Sequence, residues 1–185
     1  MQIISSLLNL QMPEIQDERD RKLFQESQSR IRAMALIHEK LYQSEDLASV
    51  DFGDYTESLI RNIFRSYSRD AANVELRTDI GDVSLPLDQA IPCGLIINEL
   101  VCNALKYAFE GKRGLLTFSL SEAEGTHTLA VSDNGVGLPR EFSVETTSTL
   151  GLRLVNTLTS QIEGELNVDA TAGTTFRITF PRITD

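Results

Sequence analysis

Residues 95–108 read LIINELVCNALKYA, an apolar stretch that carries a carboxylate, an amide and an ammonium at Glu99, Asn103 and Lys106. On a helix these fall at i, i+4 and i+7 and share one narrow stripe. A helix that is apolar on nearly every other side belongs in a core, and a polar stripe along it must meet something that satisfies it. Two chemistries fit. One is a buried ion pair between Glu99 and Lys106, with asparagines making local hydrogen bonds. The other is a site for Mg²⁺ and phosphate, since Mg²⁺ takes oxygen ligands and usually shares its shell with substrate phosphates.

Three further stretches have the composition of ligand-contacting loops. DNGVGLP at 133–139 follows a strand-like run. Asn-Gly is a favoured hairpin turn, but Asp133 at a strand end is also an acceptor, and Gly135 and Gly137 would let backbone approach a flat ligand. The absence of a third glycine at position 140 makes it a poor dinucleotide fingerprint. TSTLGLRLV at 147–155 puts hydroxyls and Gly151 ahead of an amphipathic helix, which is either an ordinary capped start or a phosphate cradle. GTTF at 173–176 is turn chemistry before a strand. Each is ambiguous alone, and the information lies in their order.

The elements that must position these residues follow from periodicity. Helical patterns run over 3–10, 17–44, 55–67, 87–109 and 150–162, and strand patterns over 74–80, 83–86, 115–121, 126–132, 164–170 and 174–180. The expected fold is α+β: a two-layer α/β sandwich with helices on one face of a mixed, mostly antiparallel sheet, preceded by an antiparallel helical hairpin. The expected division is 1–46 for the hairpin and 47–185 for the sandwich. In the second hairpin helix Phe24, Ile31 and His38 recur every seven residues, as do Met34 and Leu41, so a homodimer built on a four-helix bundle is expected.

Totals exclude some classes. With 185 residues, 41% of them hydrophobic, the chain can bury one main core. A formal charge of −10 argues against nucleic acid or an anionic membrane surface as partner. Cys93 and Cys102 lack metal-ligand spacing and read as small buried hydrophobes in a reducing compartment. No stretch has the length of a membrane span and no signal peptide is visible, so a cytoplasmic location is expected.

The succession of polar-striped helix, DNGVGLP, Gly-led helix and GTTF resembles the ATP-binding domain of the GHKL superfamily, which includes gyrase, MutL and the sensor histidine kinases. The likeness is greatest to the histidine kinases: NELVCNALKYAF resembles their N box, and DNGVGLP, TLGLRLV and GTTFRITFP resemble their three glycine boxes in order. QIISSLLNLQ and SRIRAMALIHEKLY resemble a subfamily whose acceptor helix runs HRVKNNLQIISSLL. This implies ATP and Mg²⁺ as cofactors, a response regulator as partner, and transfer of the γ-phosphoryl to a histidine and then to an aspartate. Glu99 would orient the attacking imidazole as acid/base group, and Asn103 would hold Mg²⁺. Lys106 would approach the phosphates, and Tyr107 would border the nucleotide. Asp133 would accept from the adenine amino group, with Gly135 and Gly137 making room for the ring and Thr174 or Thr175 supporting the carboxylate. Gly151 and Leu152 would border the triphosphate beneath a lid at 139–150. Thr149 stands where the pattern usually has glycine.

The resemblance also places the acceptor histidine just before residue 1, in keeping with a first helix whose apolar pattern is already running without a cap. On that expectation this chain alone would not autophosphorylate. His38 reads as a packing residue and His127 as solvent-facing. Two rival readings are a GHKL serine kinase or anti-sigma-type regulator, and a non-catalytic nucleotide-binding dimerisation module.

Overall fold

The computed structural model describes residues 10–12, 15–43, 49–67, 71–139 and 149–183. The expected first hairpin helix, except its last residue, lies outside these, as do the side chain of His38, most of the expected lid and the expected boundary at 46. The described chain begins with a long helix, α1 (Glu18–Gln43), then β1 (Ser49–Asp51), α2 (Phe52–Ser66), β2 (Val74–Ile80) and β3 (Ser84–Pro86). The central helix α3 (Leu87–Asn103) continues as a π turn over Ala104–Ala108. After it come β4 (Gly114–Ala123), β5 (Thr126–Asp133), α4 (Leu150–Gln161), β6 (Glu165–Asp169) and β7 (Thr174–Pro181). The second helix starts three residues earlier than its apolar pattern indicates, because the Asp51 carboxylate caps it by accepting from the Asp54 N–H at 3.0 Å.

The main sheet has the order β2-β4-β5-β7-β6, with β2 and β4 parallel and every other neighbour antiparallel. β1 and β3 form a separate antiparallel pair in which Val50 faces Leu85. One face of the main sheet is built in cross-strand rows. Leu116, Asp133 and Thr174 form the first, Phe118, Val131 and Phe176 the second, and Leu120, Leu129 and Ile178 the third. The apolar members of these rows are buried in one core with the inner faces of the helices, including Leu59, Ile60, Ile96, Leu100 and Val155. Among the described residues no helix is long and apolar enough to cross a membrane.

The long helix is docked onto this body. Ala33 and Ile37 are each 1% exposed and belong to the same core. The Tyr55 hydroxyl donates to the Ala33 carbonyl at 3.3 Å. It can lie there because the neighbouring position on α3 is Gly94, where any Cβ would collide with that hydroxyl. Glu26, Arg30, Ala33 and Ile37 fall at i, i+4, i+7 and i+11 and form the docked side, while the seam residues Phe24 and Ile31 lie on the opposite side, half-buried.

His127 is a correction to the sequence reading. It is buried, pairs across the sheet with Phe180, and its ring lies 5.0 Å from that ring. The pleat dictates this: if Leu129, Val131 and Asp133 point into the core, so must His127. Neither ring nitrogen has a hydrogen-bond partner among the described residues. Burial holds the imidazole below its ordinary value, with Glu122 opposing and Arg182 adding to the effect. The unfolded chain therefore binds the proton more readily, and stability should fall as the pH drops through about 6.5, where a free imidazole titrates. Denaturant unfolding at about pH 7.5 and 5.5 should show that loss, and His127→Leu should flatten it. An unchanged slope in the variant would assign the loss to another group.

Candidate functional site

The stripe on α3 meets charged partners from α1. Glu99, 6% exposed, accepts two hydrogen bonds from the Arg30 guanidinium, Nε to Oε1 and Nη2 to Oε2, each at 2.9 Å. The Asn98 amide donates to the same carboxylate at 3.2 Å and accepts from the Ser29 hydroxyl at 2.7 Å. Lys106 donates to Glu26 at 2.8 Å, and its ammonium sits 5.6 Å from the centre of the Tyr67 ring. Glu26 also lies 3.9 Å from Arg30, which joins the four charges into one network. The hydrogen bonds to Glu99 raise the Arg30 guanidinium further above its ordinary range, against the opposing effect of burial. Thus the ion pair between Glu99 and Lys106, one of the two readings of the stripe, does not form; each group pairs with α1 instead.

The end of α3 departs from a regular helix. A π turn over Ala104–Ala108 widens the coil where Lys106 and Tyr107 leave it. The Ala108 carbonyl is thereby free to accept from the Val136 N–H at 2.9 Å, tying the DNGVGLP loop to this helix. Gly135 lies against that carbonyl, so its missing side chain accommodates Ala108 backbone. Gly137, with φ of 76°, lines the cavity described below.

Asp133 ends β5 on the inner face. Its carboxylate accepts from the Gly135 N–H at 2.9 Å and from Thr174, its cross-strand neighbour. Burial raises its pKa above the usual carboxylate value, and these hydrogen bonds counter part of the rise. Of the two threonines, only Thr174 reaches it. The Thr175 hydroxyl meets Ser132 at 2.7 Å, because the next residue in a strand points to the other face of the sheet.

α4 begins against the other end of the stripe. A Cβ on Gly151 would stand 2.6 Å from Glu99 Oε2 and 3.9 Å from Asn103 Nδ2, so glycine alone lets the first turn of α4 come so close. Between these elements is a cavity of about 370 Å³. Asp133 and Thr174 line one side, and Asn103, Lys106, Gly151 and Leu152 another. Tyr107, 65% exposed, stands at its edge. Leu23, Glu26 and Ser29 of α1 complete the wall. Cys102 also lines it, but burial pushes its thiol up to about 11, so it is a neutral wall residue. The donor set suits a nucleotide: one acceptor at the sheet end, and an ammonium, an amide and a helix N-terminus at the other. Among the described residues no three His, Cys, Asp or Glu side chains gather as a metal cluster. A divalent ion here would therefore use Asn103 together with the oxygens of a bound phosphate.

Sequence reasoning missed Glu26, Arg30 and Asn98. The first two carried a signal, the i, i+4, i+7, i+11 set on α1 that the heptad seam obscured. Asn98 lies beside Glu99 in the motif, and only the packing of Ser29 gives it a role.

Residues 88–184 match the family described as histidine kinase-, DNA gyrase B-, and HSP90-like ATPase, and residues 1–67 match a family described as histidine kinase. The sensor histidine kinase PdtaS of Mycolicibacterium smegmatis is 31% identical over 175 residues, covering 91% of this chain and 34% of that protein. Blue-light-activated histidine kinase 2 of Erythrobacter litoralis is 30% identical over 149 residues, covering 75% of this chain and 41% of that protein. The chain thus spans about a third of the length of the PdtaS relatives it matches. Among solved structures, the histidine kinase domain of the Erythrobacter litoralis EL346 blue-light-activated histidine kinase superposes with a TM-score of 0.77 at 22% identity. It covers 96% of this chain and 93% of its own. The Acinetobacter baumannii histidine kinase AdeS gives a TM-score of 0.61 at 15% identity, covering 98% and 95%. Both likenesses show a shared fold.

The packing at the glycine loop makes a prediction independent of any ligand. Gly135→Ala forces a methyl group into the Ala108 carbonyl and should cost about 1–3 kcal/mol of stability, the scale of overpacking. Gly125, at a turn with nothing near its missing Cβ, should accept Asn at less cost despite its φ of 76°. Denaturant midpoints of the two variants, measured without nucleotide, should separate in that order.

Proposed function

The chain belongs to the histidine kinase-, DNA gyrase B- and HSP90-like ATPase family, and from that premise we propose that it is the ATP-binding catalytic part of a two-component sensor histidine kinase. The observation that carries this reading is the cavity bounded at one end by Asp133 with Thr174 and at the other by Asn103, Lys106 and the start of α4. Adenine would sit at the sheet end, where the Asp133 carboxylate accepts from the exocyclic amino group. The Gly135 N–H and Thr174 hold that carboxylate in place. At the other end Lys106 and the backbone N–H groups of the first turn of α4, at Gly151 and Leu152, would receive the phosphates, with Tyr107 at the rim. Asn103 would hold Mg²⁺, which when bound neutralises charge on the phosphate oxygens. Glu99 would orient the attacking imidazole and take its proton.

The acceptor is proposed to be a histidine other than the two in this chain. His127 is buried in the sheet, six residues along β5 from Asp133, about 20 Å at the rise of a strand. From the acceptor the phosphoryl would pass to an aspartate of a response regulator. Dimerisation would use the Phe24–Ile31 seam of α1, which faces away from the cavity. A cytoplasmic setting suits all of these partners.

Asp133→Asn should weaken Mg·ATP binding by about 1–3 kcal/mol in calorimetry without unfolding the protein, the scale of a hydrogen bond to a charged group. Because the Asp133 pKa is raised, affinity should also fall on acidification at a higher pH than an ordinary carboxylate would give, and the Asn variant should lose that dependence. Unchanged affinity in a folded Asp133→Asn protein would remove the residue from the site.

Asn103→Ala should abolish the Mg²⁺ dependence of binding. Glu99→Gln should not weaken binding, yet should slow transfer to a separately supplied acceptor helix by about 10²–10⁴-fold. Nucleotide binding with no transfer to any such helix would fit a nucleotide-binding dimerisation module instead.

A further inference from the structure

The groups proposed to receive the phosphates are already engaged. Lys106 is held by Glu26 at 2.8 Å. Glu99 is held by the Arg30 guanidinium and lies close against the first turn of α4 at Gly151. The side chains of Arg30 and Glu99 are 13% and 7% exposed, so their bidentate pair is shielded from solvent and salt. Glu26 adds a second carboxylate to a cavity whose other end is suited to a polyanion. A triphosphate drawn to Lys106 competes with the Glu26 carboxylate for the same ammonium, and the two anions repel each other if both remain there.

We propose that the Glu18–Arg30 half of α1 is a latch on the nucleotide site: Glu26 and Arg30 hold Lys106 and Glu99 when no nucleotide is bound, and Mg·ATP enters by displacing that half. This rests on the reading of the cavity as an ATP site. The other half of α1 stays fixed, because Ala33 and Ile37 are in the core and the Tyr55 hydroxyl is bonded to the Ala33 carbonyl. The moving half is held chiefly by polar contacts, those of Glu26 and Arg30 and the Ser29 bond to Asn98. Latch closure and nucleotide binding are then coupled reciprocally: the fraction of molecules with the latch open scales the apparent affinity, and nucleotide holds the latch open. The same α1 presents its Phe24–Ile31 seam on the opposite side, so a change at that seam reaches the site through a single helix.

The Ser29 hydroxyl lies 3.9 Å from the Cys102 thiol, which allows a lock that changes no charge. In Ser29→Cys, diamide should join residues 29 and 102 by a disulfide and pin α1 to α3. Calorimetry with Mg·ATP should then show affinity reduced about tenfold or more, restored by dithiothreitol. Saturating Mg·ATP should slow the cross-linking by the same coupling. Arg30→Gln tests release. Loss of a positive charge beside the phosphates would by itself weaken binding, whereas an opened latch strengthens it, so a rise in affinity is the expected result.

Equal affinity in the locked and reduced forms, or weaker binding in Arg30→Gln, overturns the latch. A Ser29→Cys protein that diamide fails to cross-link contradicts the packing it is read from. If the unmodified protein binds no Mg·ATP, it is the ATP-site reading that falls.

Discussion

A carboxylate set in the middle of an almost wholly apolar helix has to be neutralised, and the arrangement around Glu99 follows from that requirement. Removing one partner of a buried pair costs about 3–5 kcal/mol, because the other charge is left in a poor solvent. Arg30 meets the need with a bidentate bond, Asn98 adds a donor, and the first turn of α4 contributes its N-terminal dipole. Each partner comes from a different part of the chain or a different position on α3. The carboxylate therefore fixes the approach of α1 and α4 as much as any apolar contact does, and it fixes them around the cavity.

Much of the fold was legible. Among the described residues the helices and strands from position 17 onward stand close to where the 3.6- and 2-residue periods put them, except the short strand Ser49–Asp51, and the four motifs in order point to the family. The misreadings share one origin, in that each depended on which neighbour a side chain meets. His127 could have been placed by parity with Leu129, Val131 and Asp133, since a strand has two faces and these residues occupy one. The same parity separates Thr174 from Thr175. The π turn left no such trace: ALKYA is good α-helical sequence, and the widening arises where the Ala108 carbonyl is taken by Val136. On α1 the apolar seam of Phe24 and Ile31 is the more visible pattern, although Glu26, Arg30, Ala33 and Ile37 describe a second face with helical spacing.

Gly94, Gly135 and Gly151 each stand where another group must come close: the Tyr55 hydroxyl, the Ala108 carbonyl and the Glu99 carboxylate. The approach at Gly151 sets backbone against a side chain at the cavity, that at Gly135 sets backbone against backbone, and that at Gly94 anchors α1. Glycine in this protein serves contact between elements as well as turns. A glycine box read only as room for a ligand therefore overlooks what the Gly135 position does.

The parallel pairing of β2 with β4 joins residues about forty positions apart in the chain, Val74 with Gly114 and Ile80 with Leu120. All of α3 and its π turn lie within the span that this pairing closes. Such non-local contacts form late, because the entropy of closing the loop must be overcome before any hydrogen bond compensates it. The helix that carries Glu99, Asn103 and Lys106 is thus fixed in its final surroundings only as the sheet is completed. The walls of the cavity also draw on α4 and on Thr174 and Phe176 of β7, so no shorter stretch of the chain holds all of them.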